Sequence, residues 1–186
     1  MPGIVLLIDP SDLSRIVYNA LADEFRIEAV IREAKPARSS LLKRRLGRLG
    51  WRTVFGQIAF ATFIIPLLRI EGAGRRRKLL LQYGLNESPL PPSRVVDVPS
   101  VNDLQTIALL KDLSPQLVIV NGTRILNETV LNATGATFLN THVGVTPLYR
   151  GVHGGYWALA SGDPEFFGVT IHKIDKGIDT GEVVSQ

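Results

Sequence analysis

The chain has 186 residues, enough for one domain of ordinary size. Hydrophobic residues make up 45% of the sequence and charged residues 20%, which excludes a disordered or fibrous protein. Because there is no cysteine, a disulfide framework, a thiol nucleophile and a cysteine-ligated zinc site are excluded as well. The start has only a short apolar run without a basic region before it, so we expect a cytoplasmic protein without a signal peptide.

The net charge of +4 conceals a strongly basic segment. Residues 35–78 contain 12 Lys or Arg residues and a single acid, Glu71, so this segment carries +11 and the rest of the chain −7. A local block of one charge suggests a partner of opposite charge at that place. It does not indicate a protein that binds nucleic acid over its whole surface.

Short apolar runs alternate with helical patterns along the chain. A turn over 9–12 contains candidate N-cap residues and precedes a helix whose apolar positions are Leu13, Ile16, Val17, Ala20 and Leu21. A second amphipathic helix is predicted over 102–113, with Leu104, Ile107, Ala108 and Leu110 on its apolar face, and a short helix over 125–131. The predicted strands are 3–8, 27–31, 95–98, 117–120, 137–139 and 168–174.

Strands rich in Val, Ile and Leu that alternate with helices predict an α/β fold. We expect a Rossmann-like, open and mostly parallel sheet with helices on both faces. Ligands of such sheets bind at the carboxyl ends of the strands, which directs attention to the loops after the fourth, fifth and sixth strands. The chain has neither a G-x-G-x-x-G motif after its first strand nor a Walker A motif, so a nicotinamide or nucleoside-triphosphate enzyme has little support.

The richest set of polar residues lies around the fifth and sixth strands. Asn140 and His142 leave the fifth strand on the same side, because side chains alternate along a strand. Asp179 lies in the glycine-rich loop 175–181 after the sixth strand. An amide, an imidazole and a carboxylate that converge can stabilise an oxyanion, move a proton and orient the imidazole. The alternative is a turn that caps a strand, followed by a solvated acidic loop.

Four linked motifs occur in this region. They are Asn140-Thr141-His142, the Pro-Leu-Tyr-Arg-Gly loop 147–151, the strand start Gly168-Val169-Thr170, and the loop 175–181. In this order the motifs resemble those of the formyltransferases that use 10-formyltetrahydrofolate, and the resemblance covers residues 117–186. It implies that residues 1–186 form a single catalytic domain with a basic, partly apolar insertion over 33–84. The family usually continues past the sixth-strand loop, so we expect the chain to be shortened at its carboxyl end.

The resemblance implies transfer of a formyl group to a primary amine through a tetrahedral intermediate. Asn140 would hold the formyl oxygen, and His142 would shuttle a proton between the attacking amine and the tetrahedral intermediate. Asp179 would orient His142 or a bridging water and assist proton transfer toward the folate nitrogen. No metal is expected, and Asp175 is not expected to be catalytic. The residues implied for the folate site are Thr123, Arg124, Ile125, Leu126, Ile174, Asp175, Lys176, Gly177 and Ile178.

The acceptor amine is not specified by these motifs. The turn 9–13 has two acids and no glycine, which argues against a phosphate there and hence against glycinamide ribonucleotide. A small amine or amino sugar is favoured over methionyl-tRNA, because no tRNA-binding carboxyl-terminal domain is present. The alternatives are a methionyl-tRNA formyltransferase, hydrolysis of the formyl donor by water, or a catalytically incomplete relative that acts as a membrane- or nucleic-acid-associated binding module.

The apolar centre of the basic segment has three interpretations. Residues 53–68 are uncharged, and as a helix they reach ~24 Å, short of the ~30 Å hydrocarbon core. They could form an interfacial helix whose basic flanks, around 44–52 and 75–78, bind anionic lipids at the edge of a membrane. Alternatively, the basic residues contact tRNA phosphates, or the helix simply packs on the sheet.

The two remaining histidines are weaker candidates. His153 lies among glycines and could line the acceptor side, whereas His172, within a strand, is expected to be packed or solvated. Neither has partners at metal-ligand spacing. The sequence gives no indication of an oligomeric state.

Overall fold

The computed structural model describes residues 3–35 and 38–186. Its contacts divide the chain into two compact units, one of residues up to Ala34 together with Glu87–Gln186, the other Lys35–Asn86. The predicted domain 1–186 and its 33–84 insertion include residues 1, 2, 36 and 37, which lie outside the described residues. That these parts act as a single catalytic domain stays a prediction.

The first unit is built on a seven-stranded sheet of order β3-β2-β1-β4-β5-β6-β7. The strands β1 to β5 run parallel, and β6 and β7 are each antiparallel to the strand before. The prediction of a Rossmann-like, mostly parallel sheet is confirmed. The strands are β1 (Ile4–Ile8), β2 (Ile27–Glu33), β3 (Val95–Val98), β4 (Leu117–Asn121), β5 (Thr137–Val143), β6 (Val169–Lys173) and β7 (Val183–Ser185).

The core of this unit follows the alternation of the central strand. Val5 and Leu7 point into one apolar cluster, while Ile4, Leu6 and Ile8 point into another. All five are buried, so β1 is covered on both faces. Burial of each such side chain contributes ~1.5–3 kcal/mol, which makes the sheet a firm support for residues at the carboxyl ends of β4 and β5.

The helices of the first unit are α1 (Asp12–Glu24), α4 (Leu104–Leu113), α5 (Glu128–Leu131) and α6 (Gly154–Ser161). The N-caps of α1 and α4 are Ser11, which accepts from Ser14 N at 3.2 Å, and Asp103, which accepts from Gln105 N at 3.0 Å. The helix predicted over 125–131 is wrong in its first three residues. The Asn102 side-chain amide donates to the Ile125 carbonyl at 2.9 Å, so this carbonyl is used outside the helix.

The predicted apolar faces of α1 and α4 are wrong in part. Leu13 and Leu104 are 50% and 80% exposed, whereas Ser14 and Thr106 are buried. The reason is hydrogen bonding: Ser14 Oγ donates to Asp9 Oδ1 at 2.6 Å, and Thr106 Oγ1 donates to the Ser100 carbonyl at 3.0 Å. A buried polar group that has a hydrogen-bond partner can therefore decide which face of a helix is buried, even where the apolar spacing predicts another face.

The second unit is helical. The helix α2 (Arg38–Ala59) is interrupted at Gly50, whose φ of 77° and ψ of 162° are not helical. A π-turn over Phe60–Ile64 then joins α2 to α3 (Ile65–Gln82). The Arg45 and Gln57 side chains meet at 3.5 Å. Twelve residues of straight helix would separate them by ~18 Å, so the chain folds back at Gly50.

Candidate active site

The site begins with two side chains on one face of β5. The structure extends this strand to Val143, beyond the end predicted at residue 139, so Asn140 and His142 both lie within it. In the sheet, Asn140 is paired with Val120 of β4 on one side and with His172 of β6 on the other. The backbone of Asn140 is thus held between two strands, while that of His142 is paired with Thr170 of β6.

Asp179 is the third predicted residue, and its carboxylate is the centre of the site. It lies in the loop after β6, where its side chain is 14% exposed. Its Oδ2 accepts the Gly151 N–H at 2.9 Å and lies 3.6 Å from His142 Nδ1. Its Oδ1 accepts from Asn140 Nδ2 at 3.4 Å. The structure therefore brings the amide, imidazole and carboxylate together around one pair of oxygens.

The surroundings of His142 determine which ring nitrogen can take up a proton. This side chain is buried, and Nε2 lies 2.9 Å from the Tyr149 carbonyl oxygen. Because a carbonyl only accepts, Nε2 carries the hydrogen in this contact. In the neutral ring the Nδ1 lone pair then faces Asp179, so a proton accepted at Nδ1 would place the imidazolium beside a carboxylate.

His172 joins the site, although the sequence predicted only a packed or solvated residue. It is 3% exposed. Its Nδ1 lies 2.8 Å from the Lys173 carbonyl oxygen and so carries the hydrogen, which leaves Nε2 as an acceptor. Asn140 Nδ2 lies 3.1 Å from that nitrogen. Sequence reasoning missed this contact because it depends on the antiparallel pairing of β6 with β5.

The loop that carries Asp179 is shaped by Asp175. Its Oδ1 accepts from Thr180 Oγ1 at 2.7 Å and from Gly177 N at 2.9 Å. These bonds, the hydroxyl first, lower the pKa of Asp175 below its ordinary value. At Gly181 a Cβ would lie 1.7 Å from the Lys173 carbonyl oxygen, so only glycine allows the return of the loop.

A second loop, between β5 and α6, holds the Tyr149 carbonyl against His142. Gly144 has a φ of +137°, and a Cβ there would come within 2.5 Å of the Tyr149 oxygen and 3.2 Å of His142 Nε2. The Tyr149 hydroxyl donates to Asp163, which raises the pKa of the tyrosine. The geometry around His142 therefore requires glycine at position 144.

A cavity of about 390 Å³ lies at this site and joins it to the segment after β4. Asn140, His142 and Asp179 line it. So do eight residues of the predicted folate site, namely Thr123, Arg124, Ile125, Leu126, Ile174, Asp175, Gly177 and Ile178. The lining also includes residues that sequence reasoning did not assign to the site, among them Val120, Gly122, Thr141, Gly151, Val152 and His172.

Lys176 is the predicted folate-site residue that does not line the cavity. Its Nζ lies 3.3 Å from Glu128 Oε2, and its side chain is 78% exposed. The predicted acceptor-side residue His153 is exposed and begins α6 in a left-handed conformation, with a φ of 64°. Among the described residues, no group of three or more His, Asp or Glu residues is arranged to hold a metal ion.

The wall after β4 is fixed by a buried carboxylate. Glu33 is 5% exposed and accepts the main-chain N–H groups of Val101 at 2.9 Å and Arg124 at 3.0 Å. The Arg124 guanidinium lies 3.4 Å from the same carboxylate. The Arg124 N–H is thus used within the protein, whereas its neighbours Ile125 and Leu126 present apolar side chains to the cavity.

Comparison with known proteins relates the chain that carries this site to a family. The Formyl transferase family model matches residues 85–186. A Pelotomaculum thermopropionicum protein named methionyl-tRNA formyltransferase is 32% identical over 112 residues, which are 55% of this chain and 36% of that protein. One of the same name from Anaeromyxobacter dehalogenans is 38% identical over 93 residues, 50% of this chain and 30% of its own. The aligned region thus spans about a third of the length of these curated relatives.

Solved structures share the fold. The phosphoribosylglycinamide formyltransferase from Streptococcus pneumoniae TIGR4 has a TM-score of 0.59 at 21% identity, over 100% of this chain and 81% of its own. A formyltetrahydrofolate deformylase from Pseudomonas syringae pv. tomato has a TM-score of 0.54 at 14% identity, over 99% of this chain and 49% of its own. Since the family match covers more than half of its residues, this chain belongs to the formyl transferase family.

Proposed function

We propose that this protein transfers a formyl group from 10-formyltetrahydrofolate to a primary amine, with Asn140, His142 and Asp179 as catalytic residues. The observation that carries the proposal is the contact of one carboxylate, that of Asp179, with Gly151 N, Asn140 Nδ2 and His142 Nδ1. Transfer to an amine needs a group that accepts the amine proton and a donor for the developing oxyanion. The amide of Asn140, the imidazole of His142 and the carboxylate of Asp179 all line the cavity.

His142 is proposed to accept the proton of the attacking amine at Nδ1. The Nε2–H bond to the Tyr149 carbonyl oxygen holds the ring in the tautomer that leaves Nδ1 free. Asp179 Oδ2 lies 3.6 Å from this nitrogen and would stabilise the imidazolium. The same carboxylate is anchored by the Gly151 N–H, so it stays in place when the proton moves. His142, assisted by Asp179, would then return this proton to the donor nitrogen as the bond between the formyl carbon and that nitrogen breaks, which releases tetrahydrofolate and restores the carbonyl.

Asn140 is proposed to donate to the formyl oxygen as negative charge develops there. Both hydrogens of its Nδ2 have partners in this structure, His172 Nε2 at 3.1 Å and Asp179 Oδ1 at 3.4 Å. The Asp179 contact is the longer of the two, so we expect this hydrogen to be the one redirected to the oxyanion. His172 then keeps the amide oriented through the other.

The cavity residues fit a folate. Ile125 and Ile178 are 68% and 56% exposed although they line the cavity, so an apolar ring could cover them. Leu126 and Ile174 extend this apolar wall, and the polar catalytic groups stand beside it. When bound, the donor supplies an electrophilic formyl carbon. The chain's own residues bind it, orient it and exclude water.

For the acceptor we propose a small amine or amino sugar. At the start of α1, Asp9 Oδ1 accepts from Ser11 Oγ and Ser14 Oγ, both at 2.6 Å, so these hydroxyls and a negative charge occupy the place where a helix could bind phosphate. Tyr156 and Trp157, edge to face at 5.2 Å and 63% and 55% exposed, offer an aromatic surface on α6 to a sugar ring. We place the reaction in the cytoplasm.

A second candidate acceptor is methionyl-tRNA. The names of the curated relatives and the charge of +11 over residues 35–78 favour it. Incubation of the full chain with 10-formyltetrahydrofolate and either amino-sugar nucleotides or charged methionyl-tRNA, followed by mass spectrometry, distinguishes the two. Formate release without any acceptor would instead indicate hydrolysis of the donor. A folded protein that shows no turnover would favour the alternative of a catalytically incomplete binding module.

A further inference from the structure

The second unit carries a large apolar surface that the formyl-transfer chemistry does not use. From Trp51 to Gln82 the helix continues through its π-turn, and residues 53–68 hold no charge. Phe55 and Phe63 are each 68% exposed, and Leu67 is 63% exposed. Within the described residues, one helical segment, Arg45–Gln82, which includes the break at Gly50, is long and apolar enough to cross a membrane by length and composition. Only 6% of its apolar window is buried.

The apolar side chains of this helix surround its axis instead of forming a stripe. Up to the first residue of the π-turn, Phe55, Ile58 and Phe60 point in directions about 60° or more apart, at about 100° per residue. After the π-turn, Leu67, Leu68 and Ile70 do the same, and the side chains of both groups are exposed. A helix that is apolar all round needs an apolar medium on every side, whereas an interfacial helix keeps a polar face for water. The pattern therefore favours immersion in hydrocarbon over lying flat on a membrane.

The charged residues at both ends of the apolar stretch indicate which apolar medium it fits. Arg45, Arg48 and Arg52 precede the apolar stretch, and Arg69 and residues 75–78 follow it, with Glu71 as the only acid of the segment. The Arg52 guanidinium stacks over the Trp51 ring at 5.4 Å from its centroid. Tryptophan and arginine at the end of an apolar helix are typical of the level of lipid headgroups, and clustered basic residues favour anionic ones.

The fold-back at Gly50 brings a basic arm beside the start of the apolar helix. Arg45 reaches Gln57, so a guanidinium lies level with the second turn of that helix. A long arginine side chain there can extend back to the headgroups while its methylene groups remain in an apolar layer. The uncharged stretch of ~24 Å is shorter than the ~30 Å hydrocarbon core, which basic ends that reach for the headgroups can accommodate.

We propose that residues 45–82 bind a membrane with anionic lipids, the apolar stretch 53–68 immersed in the hydrocarbon and the flanking arginines at the headgroups. This inference does not depend on the proposed formyl transfer. The occupant is a lipid bilayer because the surface combines apolar side chains all round with basic ends. An RNA would be recognised by the arginines and would leave Phe55, Phe63 and Leu67 in water.

The test is co-flotation of the full chain with vesicles of phosphatidylcholine containing phosphatidylglycerol. We expect flotation that persists at about 1 M NaCl, where screening removes purely electrostatic contacts. The double substitution Phe63→Glu and Leu67→Glu should weaken partition by about 100-fold or more, because each charge in the hydrocarbon opposes insertion. The matched control is Leu104→Glu, at a position 80% exposed in α4, which should float like the parent chain.

A second measurement keeps the proposal testable if the double variant does not fold. In a Trp157→Phe chain, Trp51 is the remaining tryptophan, and its emission should shift to the blue and be quenched by brominated lipids. Failure of the folded parent chain to float overturns the proposal, as does flotation that the double substitution leaves unchanged. Release at 1 M NaCl together with tight binding of tRNA would overturn it in favour of an RNA contact.

Discussion

Asp179→Asn is the substitution that most directly tests the proposed chemistry. The new side chain can still place an oxygen against the Gly151 N–H at 2.9 Å, and its NH₂ would then face Asn140 Nδ2 and His172 Nε2. The contact with Asn140 Nδ2 would bring two donors together, whereas His172 Nε2 can accept a new hydrogen bond from the introduced amide. The loss in folding stability should therefore be that of one hydrogen bond to a charged group, ~1.5–3 kcal/mol.

The effect on catalysis should be far larger. The negative charge 3.6 Å from His142 Nδ1 disappears, and with it the stabilisation of the imidazolium. Removal of a positioned acid–base partner lowers kcat by ~10²–10⁴-fold. The assay is the initial rate of formyl transfer at saturating donor, with donor affinity measured separately by thermal shift. Asp112→Asn, an exposed Asp-to-Asn change on α4, serves as the control.

A rate within a factor of three of the parent chain, with the variant folded, would refute the reasoning. It would mean that neither the charge nor the position of Asp179 matters for the transfer. Loss of donor binding together with loss of rate would point instead to a role in shaping the cavity. The two outcomes separate the catalytic role of the carboxylate from its hydrogen bonds to the loops.

Three further perturbations follow from the geometry. Gly144→Ala should lower the free energy of unfolding by ~1–3 kcal/mol, measured by thermal unfolding, because its Cβ meets the Tyr149 oxygen at 2.5 Å; Gly135→Ala, which meets nothing within 4 Å, is the control, and equal effects would contradict the clash. His172→Leu should reduce the transfer rate about 10-fold by freeing the Asn140 amide, and a rate equal to that of the parent chain would show that the contact is dispensable. Arg32 lowers the pKa of Asp97, so this partly exposed pair stabilises the fold above the ordinary carboxyl pKa and ceases to do so as the pH falls through the lowered value. Asp97→Asn should thus cost less than ~1 kcal/mol at pH 7 and progressively less as the pH falls through the lowered pKa of Asp97, measured by chemical unfolding. A cost independent of pH would contradict the ion pair.

The strands were predictable because their apolar runs are nearly continuous. Val95–Val98 was predicted to the residue, and Ile4–Ile8 to within one. Alternation along β5 also placed Asn140 and His142 on one face. The end of β5 was missed because Asn is disfavoured in strands locally, while pairing with β6 as far as Val143 keeps these residues extended.

The environment of the site was less accessible from the sequence. β6 runs antiparallel to β5 although the connection between them contains a helix, α6, which is more typical of parallel strands, and this direction places His172 opposite Asn140. No local signal encodes that pairing. The position of the Lys176 side chain outside the cavity lining was unpredictable for a similar reason, since its partner Glu128 lies 48 positions earlier in the chain and the two meet only in the fold.

The residues that line the cavity come from a single contiguous stretch, from Val120 to Asp179. The family match falls over residues 85–186, which contain the whole of that stretch. The helical unit Lys35–Asn86 leaves the sheet after β2, far from this stretch in sequence. Such an arrangement is modular: the stretch that lines the cavity can stay intact while the segment after β2 is exchanged, so the same cavity could be brought to different membranes or partners by changing one segment.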